Sequence, residues 1–159
     1  MLKPADITKP LNLPDVALET IMRDGKPYVL DPVRRRFVRL LPEEKVRQHV
    51  LAYLTGTLGV PAGLIAVEKG FEFNDMPRRA DILVHDRTGA PLILVECKSP
   101  DIALTQAVFD QVGRYNTVVG ARYVLVSNGL QHYCFHVADR ASEPAFVSEL
   151  AEFNELVES

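Results

Sequence analysis

The chain has 159 residues, 47% hydrophobic and 25% charged, a balance that fits one folded core and excludes a disordered polymer, a collagen-like repeat or a disulfide-dense secreted scaffold. A net charge of −3 gives no overall attraction to a polyanion, so any nucleic-acid contact must come from a local basic patch. Its two cysteines, Cys97 and Cys134, stand far apart with no C-x-x-C pair and read as buried thiols. The longest apolar run, residues 92–95, is far short of the ~20 residues of a membrane span. The N-terminus has no secretory apolar segment, so the expectation is a cytoplasmic protein with no membrane partner.

Residues 1–41 are proline-rich and punctuated by Asp24-Gly25 and Asp31-Pro32, which predicts an arm or small hairpin of short strands. Within it Arg34, Arg35, Arg36 and Arg39 surround Phe37 and Val38. That pattern fits either a solvated edge strand or a surface that touches phosphates. Pro42, Glu43 and Glu44 then open a helix expected to reach about Thr57, with proline in the first turn and acids at the positive end of the dipole. Val46, Val50, Tyr53, Leu54 and Leu58 form its core face. At about 100° per residue the apolar stripe centres about 25° from Val46; Glu43 falls at about 60°, on the edge of the stripe, and Glu44 at about 160°, on the solvent side.

Three strands are predicted at 64–73, 80–85 and 91–98, each aliphatic or β-branched and bounded by turn formers. A second helix over 105–118 has Val108, Gln111, Val112 and Tyr115 on one face, Thr105 as N-cap and Gly120 just past its end. Asn128-Gly129 predicts a hairpin between strands at 123–126 and 131–137. From Asp139 the chain is acidic, and Phe146, Leu150, Phe153 and Val157 predict a C-terminal helix packed on the core. The expected organisation is therefore an arm (1–41), a core (42–138) and an acidic covering helix (139–159) within one domain.

The informative constellation is Asp81 with Glu96-Cys97-Lys98. If the second and third of these strands form a hairpin centred between Thr88 and Gly89, Asp81 stands directly opposite Glu96, with Cβ atoms about 4.5–5.5 Å apart. Lys98 shares their face by alternation. Two carboxylates so close either raise one pKa or hold a divalent ion, and hard oxygen donors favour magnesium or manganese. Metal, acids and a fixed cation are what phosphodiester hydrolysis needs. The plain alternative is a salt-bridge cluster on a solvated sheet face, although charges at the end of so apolar a strand are expensive to bury. Arg78 and Arg79 flank Asp81 and either contact phosphate or neutralise the acids. Glu68 fits either the site edge or an outward strand position. His132, Cys134 and His136 alternate along one strand, but Tyr133, Phe135 and Val137 make the apolar alternate, which leaves the histidine face exposed.

The segments Pro42-Glu43-Glu44-Lys45-Val46-Arg47-Gln48, Arg79-Ala80-Asp81-Ile82, Val95-Glu96-Cys97-Lys98-Ser99, Gln111 with Tyr115 and Asn116, and Ser127-Asn128-Gly129 resemble, in order and spacing, the N-terminal nuclease domain of type I restriction enzyme R subunits, a branch of the PD-(D/E)XK nuclease superfamily. The resemblance covers about residues 40–137. It implies an α/β fold, a restriction-endonuclease-like mixed β-sheet flanked by helices in the core order αβββαβ, and a Mg-dependent (or Mn-dependent) DNA endonuclease. It also implies that Asp81, Glu96 and the Cys97 carbonyl bind the metal, Glu43 through a water, that Lys98 assists the attacking water, and that Gln111 and Tyr115 complete the site. DNA contacts are expected from Arg34, Arg35, Arg36, Arg39, Arg47, Arg78 and Arg79, with a homodimer or separate subunits as partners. Ala80 replaces the proline of the superfamily's name, and no G-x-x-x-x-G-K-[ST] motor motif is present. The alternative is a catalytically silent DNA-binding or protein-docking subunit of the same fold.

Overall fold

The computed structural model describes residues 7, 9–139 and 143–159. The chain first makes a three-stranded antiparallel meander, β1 (Thr20–Arg23), β2 (Lys26–Asp31) and β3 (Arg36–Arg39). Asp24 and Gly25 both take positive φ in the first turn, as a two-residue hairpin turn requires. In the second, Asp31 Oδ1 accepts the N–H groups of Val33 and Arg34, each at 2.8 Å, a local side-chain turn that closes the strand pair.

Helix α1 (Pro42–Ala52) follows and continues as a π-helical turn, Tyr53–Thr57. The expected helix is thus right in extent, but its last turn is not α. The second sheet contains β4 (Ile65–Phe73), β5 (Met76–His85), β6 (Pro91–Cys97), β7 (Tyr123–Ser127), β8 (His132–His136) and β9 (Ala145–Val147), paired in that order. Only β6 and β7 run parallel, joined by the crossover helix α2 (Gln106–Val119), which stops at Gly120 in the left-handed region. A short α3 (Phe153–Glu158) ends the chain. The core order αβββαβ is present, as a mixed sheet flanked by helices.

The sheet has two apolar faces. Val46, Val50, Leu51 and Leu54 of α1 and Phe153 and Leu156 of α3 pack with Ile82, Val84, Ile93 and Val95 on one side. Val112 of α2 packs with Leu94, Val124 and Val126 on the other. The strand Pro91–Cys97 is accordingly buried on both faces from Leu92 to Val95, which is why it reads as a continuous apolar run.

Four expectations are corrected. Strand β5 begins at Met76, four residues early, because Asn74 and Asp75 both take positive φ and make a two-residue turn from β4. The β7–β8 hairpin is centred on Gly129-Leu130, with Asn128 flanking it and accepting the N–H groups of Leu130 and Gln131. The acidic tail is not one helix: Ala145–Val147 adds a strand to the sheet edge and only Phe153–Glu158 is helical, while the part of this segment at 140–142 lies outside the described residues. The histidine strand is also covered on both faces. Cys134 is buried with the α1-side core, His132 bonds Ser127 and Asn12, and His136 stacks on Tyr123, so its histidine face is not open to solvent.

Candidate active site

Between β5 and β6, Ile82 pairs with Val95, Leu83 with Leu94 and Val84 with Ile93, with a register shift at Val84/His85 before the turn; just beyond this ladder Asp81 and Glu96 lie close enough to interact. Glu96 alternates with Leu94 onto the α2 side of the sheet, whereas in β5 Ala80 packs on that side and Ile82 on the other, so strict alternation fails at Asp81, which meets Arg47 of α1. Asp81 Oδ2 accepts the Cys97 N–H at 2.7 Å, and Lys98 Nζ lies 3.4 Å from Glu96 Oε1. Burial, reinforced by the charge of Asp81, pushes Glu96 up to about 8, although Lys98 acts in the other direction. This is the behaviour of two acids competing for one ionised state. Lys98 is anchored through its N–H to the Ser127 carbonyl of β7 at 2.8 Å.

Helix α1 delivers three more charged side chains to this end of the sheet. Glu43 is exposed at the rim, and its carboxyl is raised by partial desolvation and by the Asp81 charge, with Arg47 and Lys98 opposing. Glu44 does not lie on the solvent side. Its side chain is 8% exposed and pairs with both Arg34 and Arg47, because the meander closes over that side of the helix. Arg47, also 8% exposed, reaches Asp81 Oδ1 at 2.9 Å, Glu44 at 3.0 Å and Glu68 at 3.6 Å. Burial works against its charge, but Glu44 and Asp81 hold the proton more tightly than usual.

The network extends into the β2–β3 turn. Arg34 pairs with Asp31 at 2.8 Å, with Glu44, and with Glu68 at 3.6 Å. Burial alone would raise the Asp31 carboxyl, yet the N–H and guanidinium of Arg34 and the Gln48 amide hold it below the usual range. Glu68 stands in β4 where the register would pair it with Asp81; the ladder is interrupted there, and Glu68 takes φ 54°. A left-handed residue inside a strand is sterically costly unless its surroundings hold it, and here Arg34, Arg47 and Arg79 all point to its carboxylate.

Asp81, Glu96, Lys98 and Glu43 are thus brought together. Gln111 and Tyr115 bond each other at 3.0 Å on α2, with Tyr115 edge-on to Phe71 and Phe73. Among the described residues no hydrogen bond or ion pair joins them to the acids, although α2 covers the sheet face that Glu96 shares with Leu94. Of the expected phosphate contacts, Arg34 and Arg47 are enclosed by carboxylates, whereas Arg35 and Arg36 are exposed and Arg79 is 73% exposed. Among the described residues Arg78 bonds its neighbour's carbonyl, Pro77, at 3.4 Å and no acid. The buried partners Asp31, Glu44 and Gln48 were not expected as site residues, and of the two positions open to Glu68 the structure gives the site edge. Taking Asn74-Asp75 as a two-residue turn would have set Glu68 opposite Asp81. A cavity of about 690 Å³ lies elsewhere, between α2 and β7–β9.

The donor set suits a hard divalent cation in kind, since two opposed carboxylates leave one of them protonated near neutral pH without a cation. Asp81, Glu96 and the Cys97 carbonyl are the groups that would hold it. Among the described residues no three His, Cys, Asp or Glu side chains converge as a ready-made metal site, and both Asp81 oxygens are already engaged.

A mixed sheet flanked by helices, with an acid-lysine cluster at the end of its central strands, defines a restriction-endonuclease-like α/β domain. Residues 42–151 match the family described as type I restriction enzyme R protein N terminus (HSDR_N), and the chain belongs to that family, as a restriction-related, nuclease-like module. It is also similar in fold to a fragment described as a putative HsdR subunit of a type I restriction enzyme from Vibrio vulnificus YJ016, with TM-score 0.55 and 22% identity over 74% of this chain. The chain spans about a quarter (25%) of that fragment's length. No curated protein sequence matches it. Among the described residues no helix is long and apolar enough to cross a membrane.

Proposed function

We propose that this chain is a magnesium- or manganese-dependent endonuclease of the PD-(D/E)XK type that hydrolyses phosphodiester bonds in DNA. The observation that carries the reading is the closeness of the Asp81 and Glu96 carboxyls at the ends of β5 and β6, with Glu96 pushed up to about 8 and Lys98 held beside it. Such a pair is electrostatically incomplete, and a divalent cation completes it. When bound, the ion supplies polarisation of a phosphoryl oxygen and a more acidic water.

The chain's own residues do the rest. Arg47 and the Cys97 N–H fix the two oxygens of Asp81 in orientation. Lys98, a compact point charge, holds the attacking water and offsets charge developing on the phosphate. Glu43 bonds a water at the rim, and Gln111 and Tyr115 orient the scissile strand. Arg35, Arg36, Arg39, Arg78 and Arg79 contact the backbone phosphates. A homodimer, or separate subunits, would present two such sites to a duplex.

A second reading, a silent DNA-binding or docking subunit, is favoured by one observation: Arg47 occupies the Asp81 oxygen that a metal would use. Incubation of supercoiled plasmid with Mg²⁺ or with EDTA separates the two. Cleavage is expected with Mg²⁺ alone, lost in Asp81→Asn and Glu96→Gln, and lost in Lys98→Ala with calorimetric metal binding retained. No cleavage by the wild-type chain with either metal, or equal cleavage by Glu96→Gln, would leave the silent reading.

A further inference from the structure

The meander β1–β3 lies outside the residues matched to the family. Residues 20–39 carry six basic side chains, Arg23, Lys26, Arg34, Arg35, Arg36 and Arg39, against Asp24 and Asp31, in a chain whose net charge is −3. The pairings Ile21–Tyr28–Arg39, Arg23–Lys26 and Leu30–Phe37 set Arg23, Lys26, Tyr28, Phe37 and Arg39 on one face. Val29 and Asp31, both fully buried, alternate onto the other, inward face. Tyr28 and Phe37 are half-buried on the outer face. The Arg23 guanidinium lies 5.5 Å from the Tyr28 ring centre and 5.7 Å from that of Phe37, and Arg39 lies 5.7 Å from Tyr28.

The contrast with the acid network is informative. Arg34 and Arg47 are wrapped in carboxylates, whereas among the described residues Arg23, Lys26 and Arg39 have no ion pair, and Arg39 Nε is buried with no acceptor. Among the described residues no carboxylate balances their charge. We infer that the outer face of the meander is a stacking platform for single-stranded nucleic acid. Aromatic rings and flat guanidinium planes offer bases a surface to stack on, and the uncompensated cations track the phosphates. A duplex hides its base faces and would leave Tyr28 and Phe37 unused. The β2–β3 turn of the same meander carries Arg34, 3.6 Å from Glu68 of the charged network around Asp81.

The inference rests on the proposed function for the choice of polymer, but its test needs no cleavage. Fluorescence anisotropy of the full chain in EDTA, with labelled oligothymidylate of about 20 nucleotides and a duplex of equal length as probes, reads binding alone. The expected result is tighter binding of the single strand. The pair Tyr28→Leu, Phe37→Leu should weaken it at least about tenfold, and Arg23→Gln, Lys26→Gln should weaken it and flatten its salt dependence. Should the ring variant fail to fold, the exposed charge variant decides. Single-strand affinity untouched by the charge variant, or a duplex bound as tightly as the single strand, would overturn the inference. Plasmid left uncut while these affinities behave as stated would reject the nuclease reading and leave the platform standing.

Discussion

At Glu96, burial and the neighbouring Asp81 lift the carboxyl from the ordinary 4.5 to about 8. The folded chain therefore keeps a proton that the unfolded chain has released between those two values, and the fold loses stability as pH rises through that window. The loss is complete above about 8. In EDTA, thermal unfolding should show a Tm that falls from pH 5 toward pH 8.5. Glu96→Gln, which stays neutral, should lessen that fall and melt higher than wild type at the alkaline end. Mg²⁺ should restore the wild-type Tm there and leave the variant unmoved. A Tm profile identical in wild type and variant would show that Asp81 and Glu96 do not compete for ionisation.

At the scale of the element, α1 divides its first two acids between different tasks. Glu43 stays at the rim beside Asp81 and Lys98, while Glu44 is clamped between Arg34 and Arg47. Glu43→Gln should slow Mg²⁺-dependent cleavage at least about tenfold, about 1.4 kcal/mol of barrier, with little change in Tm. Glu44→Gln leaves two buried guanidiniums short of a partner and should cost about 3 kcal/mol of stability, seen as a lower urea midpoint. Helical spacing alone put Glu44 toward water because periodicity describes a helix in isolation. Nothing in that count reveals that the meander will close over the polar side of the helix and dehydrate it.

The same limit explains what was legible elsewhere. The β5–β6 hairpin was readable from a short turn between two aliphatic strands, but the register shift at Val84/His85 that lies between the turn and Ile82–Val95 was not. Likewise α2 begins after Thr105, which stands at the N-cap without a side-chain capping bond, and ends at Gly120, whose left-handed backbone is the local cause of the stop. The Asn128-Gly129 signal found the right hairpin and the wrong centre. Asn128 serves as the side-chain acceptor that closes the turn, and Gly129 supplies the positive φ of 85°. A Cβ at Gly129 would also meet Leu11 Cδ2 at 2.8 Å and Val46 Cγ2 at 3.0 Å, a close approach of arm, helix and hairpin that no local pattern announces. The burial of Arg34 and Arg47 belongs to this second kind, being set by contacts between distant segments.

For the whole molecule, charge is distributed as unevenly as function would need. Cations collect on the meander, and carboxylates collect where it meets α1 and β4. On the proposed nuclease reading one such centre would act on one strand at a time, and a concerted cut through both strands of a duplex would take two copies related by a two-fold axis. A dilute, strictly monomeric preparation should convert supercoiled plasmid to nicked circles, with linear DNA appearing only as concentration or a partner brings two sites together. Linear product from the monomer with no nicked intermediate would contradict this.

The π-helical turn after α1 sets the phase of everything that follows it. Counted at about 100° per residue from Val46, Leu58 would stand near 120°, well outside a stripe centred near 25°, yet it is buried with Leu54. The Leu58 N–H bonds the carbonyl of Tyr53, five residues back, at 3.1 Å, so one residue is absorbed without turning the helix further. Gly56, exposed and with open space where a Cβ would stand, is the spare residue. Its deletion should convert the segment to continuous α-helix, return Leu58 to about 20° and leave Tm equal or higher. Insertion of one alanine at the same place should swing Leu58 out of the core and lower Tm. The turn is thus a one-residue reading-frame correction written in three dimensions: the chain carries an extra residue, and the helix widens by one hydrogen bond to keep its apolar register.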